Sequence, residues 1–195
     1  MRDLEKRFVK GTELRLSGSD NSPVLSGHIA RFNVPSEDFG GWTENIAPGA
    51  FKDSLGRDDI RALWNHEDGL VLGRTAVGTL DLWEDEIGLA FRNRPPDTTW
   101  FRDRVVSLKR KDVTGSSFGF FTELDEWRTN PDGTRVRTLR KVRLIEVSPG
   151  VTFPAYPQTS TEVARRSLER WLGAGGPDME HRRRRLDLQR LRLGL

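Results

Sequence analysis

The sequence predicts an α+β domain made mostly of antiparallel strands, and three observations predict it. Short alternating apolar and polar runs recur along the chain, clusters of Gly, Pro, Asn and Asp separate them, and helical spacing is confined to a few inserts. At 195 residues there is room for one well-buried core, which ten Phe and six Trp can fill.

The elements follow in order. Leu14 and Leu16 alternate with polar residues before the Gly18 to Pro23 turn cluster, and Val24 to Phe32 resumes as a second strand, so the pair reads as an opening hairpin. Pro48 to Leu55 suits a short helix, with Pro in the first turn and Phe51 and Leu55 on one face. Ile60 to Trp64 is an apolar strand running into the polar cluster Asn65 to Gly69, which sets His66 at a strand end beside a turn. Gly78 to Trp83 and Ile87 to Phe91 read as a hairpin whose tip, Glu84 to Glu86, lies in water.

Asp97 to Lys109 carries Trp100, Phe101, Val105 and Leu108 at helical spacing, with Asp97 as the expected N-cap. A strand containing Ser117 follows, then a turn at Asn130 to Gly133 and a partner strand from Thr134 to Val147. Pro149, Pro154 and Pro157 are expected to end the sheet. Thr161 to Leu172 has helical period through Val163, Leu168, Trp171 and Leu172, and Gly173 to Pro177 is a linker signal. The expected division is therefore a domain over residues 1–172 and an Arg-rich tail over 173–195, a linker followed by a mobile or partner-dependent helix.

Composition removes several function classes. With no cysteine there is no disulfide framework, no thiolate metal site and no thiol nucleophile. No segment has the apolar run of a signal peptide or a membrane span, so the expected origin is the cytosol and no membrane partner is expected. The net charge of +3 is unevenly spread. From Val163 onward nine Arg face four acidic residues, a charge of +5, whereas 23 basic and 25 acidic residues leave the rest at −2. Basicity thus belongs to the tail, and nucleic acid is expected as a partner only through it.

Three residues could carry chemistry: His66, Ser117 and Glu146. A serine hydroxyl needs an adjacent base, imidazole suits that task, and the imidazole needs an acceptor to fix its tautomer. Of three histidines, His181 sits in the Arg-rich tail and His28 in an early strand, which leaves His66. Ser117 is central in Gly115-Ser-Ser-Phe-Gly119, where glycines leave room for a substrate backbone and a developing oxyanion. The α/β-hydrolase elbow is a poor match, because Phe118, Phe120 and Phe121 continue a strand. Glu146 interrupts an apolar run and, by alternation, points to the side of Val142 and Leu144, where a carboxylate needs a partner; Arg140 and Arg143 compete with an imidazolium for it. Plain readings stay open: a serine packed between glycines, a solvated turn histidine, and a polar turn at His66-Glu-Asp68 that lacks a second histidine for a metal.

Taken in order, several segments resemble the prohead serine protease family of tailed phages. They include Glu44-Asn-Ile-Ala-Pro-Gly-Ala-Phe51, Ala62-Leu-Trp-Asn-His66, Leu72-Gly-Arg-Thr75, Glu84-Asp-Glu-Ile-Gly-Leu89, Ser117-Phe-Gly-Phe120 and Glu146-Val-Ser-Pro-Gly-Val-Thr-Phe-Pro-Ala155. The resemblance spans about residues 8–168. It implies an antiparallel β-barrel-like core similar to herpesvirus assembly proteases (assemblins), with a few helices around it. It further implies a serine endopeptidase with no cofactor or metal, whose catalytic residues map onto His66, Ser117 and Glu146.

The implied substrates are a scaffold protein, the scaffolding segment of the capsid precursor and the enzyme itself. The implied place of action is the prohead in the host cytoplasm, and a homo-oligomer is compatible with it. A departure from the family pattern is Gly150, inserted where Ser usually runs directly into Val-Thr-Phe-Pro-Ala, which bears on the register of Glu146. Two rival functions are a non-catalytic phage assembly factor and a nucleic-acid-binding protein acting through the tail.

Overall fold

The computed structural model describes residues 4–9, 14–19, 22–152 and 157–174. Ten strands are assigned among them: β1 (Glu5–Val9), β2 (Arg15–Ser19), β3 (Ser22–Arg31), β4 (Trp42–Ile46), β5 (Arg61–Trp64), β6 (Glu67–Arg74), β7 (Leu80–Glu84), β8 (Gly88–Asn93), β9 (Gly115–Thr129) and β10 (Arg135–Val151). The helices are α1 (Lys52–Arg57), α2 (Thr99–Arg110) and α3 (Pro157–Gly173). The Arg-rich tail expected after Gly173 lies, beyond position 174, outside the described residues.

Two sheets share one core. The first runs β1-β9-β10-β5-β6, with β4 pairing in parallel with the opening half of β10; the second runs β2-β3-β8-β7. Among the described residues strand pairing does not close a barrel, so the expected barrel-like core is corrected to two open sheets. What joins them is a continuous apolar cluster, with Leu25, Ile29, Leu89 and Phe91 from the second sheet and Phe118, Phe120, Leu144 and Val147 from the first. Burying those side chains supplies the main drive to fold. The two hairpins read from sequence form as β2-β3 and β7-β8, and β9 and β10 pair along nearly their whole length.

Several local expectations are corrected. Asp97 does not cap α2: Thr98 is the N-cap residue, without a side-chain cap, and Asp97 pairs with Arg102 instead. The tip at Glu84 to Glu86 is exposed at Asp85 and Glu86 as expected, but it is also tied down. Glu84 accepts the N–H groups of Gly49 (3.0 Å) and Phe51 (2.8 Å), and Asp85 pairs with His28 at 2.9 Å. β10 continues through Pro149, because a register shift between Pro149 and Val151 accommodates the residue that cannot donate.

Sequence periodicity missed β1 altogether. Its charged side chains are buried among partners far along the chain. Arg7 bonds Glu44 (2.6 Å) and Glu5 (2.7 Å), and Arg137 bonds Glu5 (2.7 Å), Glu44 (2.9 Å) and Asp125 (2.7 Å). α3 reaches this group too, since the Ser167 hydroxyl donates to Asp125 at 2.8 Å beside a small cluster of Trp42, Ala164 and Leu168.

Candidate active site

The site is assembled on β9 and β10 and completed by the β5-β6 turn. That connection has two residues, Asn65 (φ 51°) and His66 (φ 62°), between the paired ends Trp64 and Glu67. Positive φ at both central positions matches the right-handed twist of a tight hairpin, and Asn tolerates it well. His66 does not tolerate it readily: a left-handed, non-glycine residue costs of order 1–3 kcal/mol and persists only where its surroundings hold it. Trp64 anchors the turn from the strand side, buried with its ring against Gly150 and beneath the Arg104 guanidinium (5.8 Å).

Glu146 reaches this turn through a bulge. By simple alternation it would share the side of Leu144, but the β9-β10 register shifts between Leu144 and Glu146. Leu144 opposes Phe120 and Glu146 opposes Gly119, so the two side chains leave opposite faces of the sheet. The expectation that Glu146 points with Val142 and Leu144 is thereby corrected. Gly119 makes room for the carboxylate, because a Cβ there would lie 2.6 Å from Glu146 Oε1. The insertion at Gly150 is absorbed farther on, where this residue takes φ 106° and leaves the space filled by Trp64.

The outcome is a close hydrogen-bonded contact. His66 Nδ1 lies 2.6 Å from Glu146 Oε1, and the two side chains are 7% and 9% exposed. An acceptor carboxylate assigns the proton to Nδ1 and leaves Nε2 with its lone pair. Nε2 is buried and has no hydrogen-bond partner among the described residues. Neither competing arginine reaches Glu146: Arg140 pairs with Glu126 and Arg143 with Asp58. His28, set aside on sequence grounds, belongs to the second sheet and its Asp85 contact.

Ser117 is placed beside this pair without bonding to it. It opposes Ser148 across the β9-β10 ladder, so both side chains leave the face that carries Glu146. Its hydroxyl is buried and donates to the Arg7 carbonyl oxygen of β1 at 2.8 Å. Sequence reasoning did not single out Ser148, which touches both His66 and Glu146. Its position two residues after Glu146, on the same strand face, was the available signal.

This chain matches the family model described as caudovirus prohead serine protease over residues 10–173. Among solved structures it is similar to the bacteriophage T4 capsid assembly protease gp21, at 11% identity and a TM-score of 0.46, covering 78% of this chain and 99% of that one. No curated protein matches.

Proposed function

The chain belongs to the caudovirus prohead serine protease family, and from that premise we propose that Ser117, His66 and Glu146 are its nucleophile, general base and orienting acid. The carrying observation is the His66-Glu146 contact, which occupies Nδ1 and leaves a buried Nε2, without a partner among the described residues, on the sheet face of a serine. Ser117 must turn about χ1 from the Arg7 carbonyl toward that nitrogen, a rotation between staggered wells.

In the proposed reaction His66 Nε2 takes the Ser117 proton as Oγ attacks the scissile carbonyl. The tetrahedral intermediate collapses to an acyl-enzyme, and the imidazolium returns that proton to the leaving amine. Water, deprotonated by the same nitrogen, then releases the acid and restores the serine. Glu146 holds the ring and balances its transient charge.

The substrates proposed are the phage scaffold protein, the scaffolding segment of the capsid precursor and the enzyme's own chain, cleaved inside the assembling shell. The tail over residues 173–195 is proposed to dock on acidic scaffold segments, on the strength of its charge. The test is coexpression with the capsid precursor, read by intact mass. Ser117→Ala is expected to abolish processing and to remain folded; full cleavage by that variant rules out the assignment.

A further inference from the structure

Ser148 occupies an unusual place. It is fully buried, and its single hydroxyl makes two bonds to two members of the proposed triad. Oγ accepts the backbone N–H of His66 at 3.1 Å and donates to Glu146 Oε2 at 2.8 Å. It lies 3.4 Å from His66 Nδ1, farther than Glu146 Oε1 at 2.6 Å, so the carboxylate is the ring's partner. Across the strand ladder Ser148 opposes Ser117.

Each bond addresses a specific weakness of the site. A left-handed histidine in a two-residue turn needs its backbone fixed, and the accepted N–H fixes it to β10 rather than to the turn alone. A carboxylate with one oxygen on the imidazole can still swing about its last torsion, which is broad for glutamate. Holding Oε2 leaves Oε1 aimed at Nδ1. Resting on the triad proposed above, we infer that Ser148 is a positioning residue: it clamps the His66 backbone and the Glu146 carboxylate into one rigid unit, presenting Nε2 to Ser117.

Ser148 is not a rival nucleophile on this geometry. Its proton is directed at Glu146, and it lies on the Nδ1 side of the ring, where the acid already sits. A serine activated by this histidine must deliver its proton to the other nitrogen.

A fluorophosphonate probe titrated against the full-length chain separates these ideas, with the labelled residue located by peptide mass. Wild type is expected to label at Ser117. Ser148→Ala is expected to stay folded and to label at the same residue, with kinact lower by roughly tenfold to a hundredfold, the usual cost of losing an orienting partner behind a reacting group. KI should stay within about twofold, since Ser148 is buried behind the ring and the loss falls on the chemical step. Ser148→Thr keeps the hydroxyl and should restore most of kinact. The short His66-Glu146 bond should give a proton resonance downfield of the amide region in wild type and the Thr variant, broadened or lost in the Ala variant.

An unchanged kinact with an intact downfield resonance in Ser148→Ala overturns the positioning role and leaves the triad standing. Failure of Thr to restore any rate in a folded protein also counts against the hydroxyl. Wild-type labelling at Ser148, or at no serine, removes the triad assignment itself.

Discussion

At the scale of single residues, the proposed triad turns on the identity and the aim of the Glu146 side chain. Glu146→Gln keeps the shape but offers His66 Nδ1 either a weaker acceptor or a donor, which favours the wrong tautomer. A loss of kcat on the order of 10³–10⁴ is expected, as for charge removal from a triad acid. Gly119→Ala tests aim alone. The new Cβ would sit 2.6 Å from Glu146 Oε1, so the buried carboxylate must shift off its bonds to His66 and Ser148 while the rest of the sheet keeps its packing. The expected outcome is a folded protein destabilised by about 1–3 kcal/mol, the cost of disturbing buried hydrogen bonds, with activity reduced roughly tenfold or more, because even an ångström of misplacement is costly to a reacting geometry. Full activity in Gly119→Ala would show that the carboxylate position does not matter.

At the scale of elements, much was legible, and the exceptions have physical causes. Alternation and turn chemistry located both hairpins, and helical spacing located α2, because local pattern alone decides those features. The register shifts in β10 were not legible: nothing in Leu144-Ile-Glu146 announces one, so the side on which Glu146 emerges could not be read from period two. β1 was missed because Glu5 and Arg7 are buried by charged partners contributed from β4 and β10. Gly150 was noticed as an insertion, but only the packed structure gives it a purpose. Gly150→Ala must accept φ 106° and push into the Trp64 ring at 2.6 Å, and that ring cannot yield without disturbing the His66 turn. A destabilisation of about 1–3 kcal/mol is expected, or a melting temperature lower by roughly 2–12 °C for a chain of this size, accompanied by a fall in Ser117 labelling. A thermal scan paired with the probe reads both.

At the scale of the whole molecule, the buried charge cluster joins the N-terminal strand, β4, β9, β10 and, through Ser167, α3. It lies across the sheet from the chemistry, because Glu5 and Arg7 oppose Phe120 and Phe118 while Ser117 faces the other way. Burial by itself would raise the pKa of Glu5, but the hydrogen bond from Arg137 and the charges of Arg7 and Arg137 outweigh it and hold the carboxyl below its ordinary range. A depressed folded-state pKa adds stability that is present above the ordinary carboxylate range and is lost as pH falls through the depressed value.

Arg137→Met converts that sign into a test. Removing one cation leaves Glu5 and Glu44 with Arg7 alone and takes the ion-pair partner from Asp125, and an uncompensated buried charge costs about 3–5 kcal/mol at neutral pH. Acidification then acts differently on the two proteins. In wild type, protonating Glu5 breaks good contacts; in the variant it removes surplus negative charge. The stability gap should therefore narrow as pH is lowered from 7 toward 3, measured by urea midpoints at each pH. Surface carboxylates also held low, such as Asp59 beside Arg74 and Asp132 beside Thr134, titrate alike in both proteins and drop out of the difference. A gap that stays constant or widens in acid would mean that the cluster is not what makes this fold sensitive to acid.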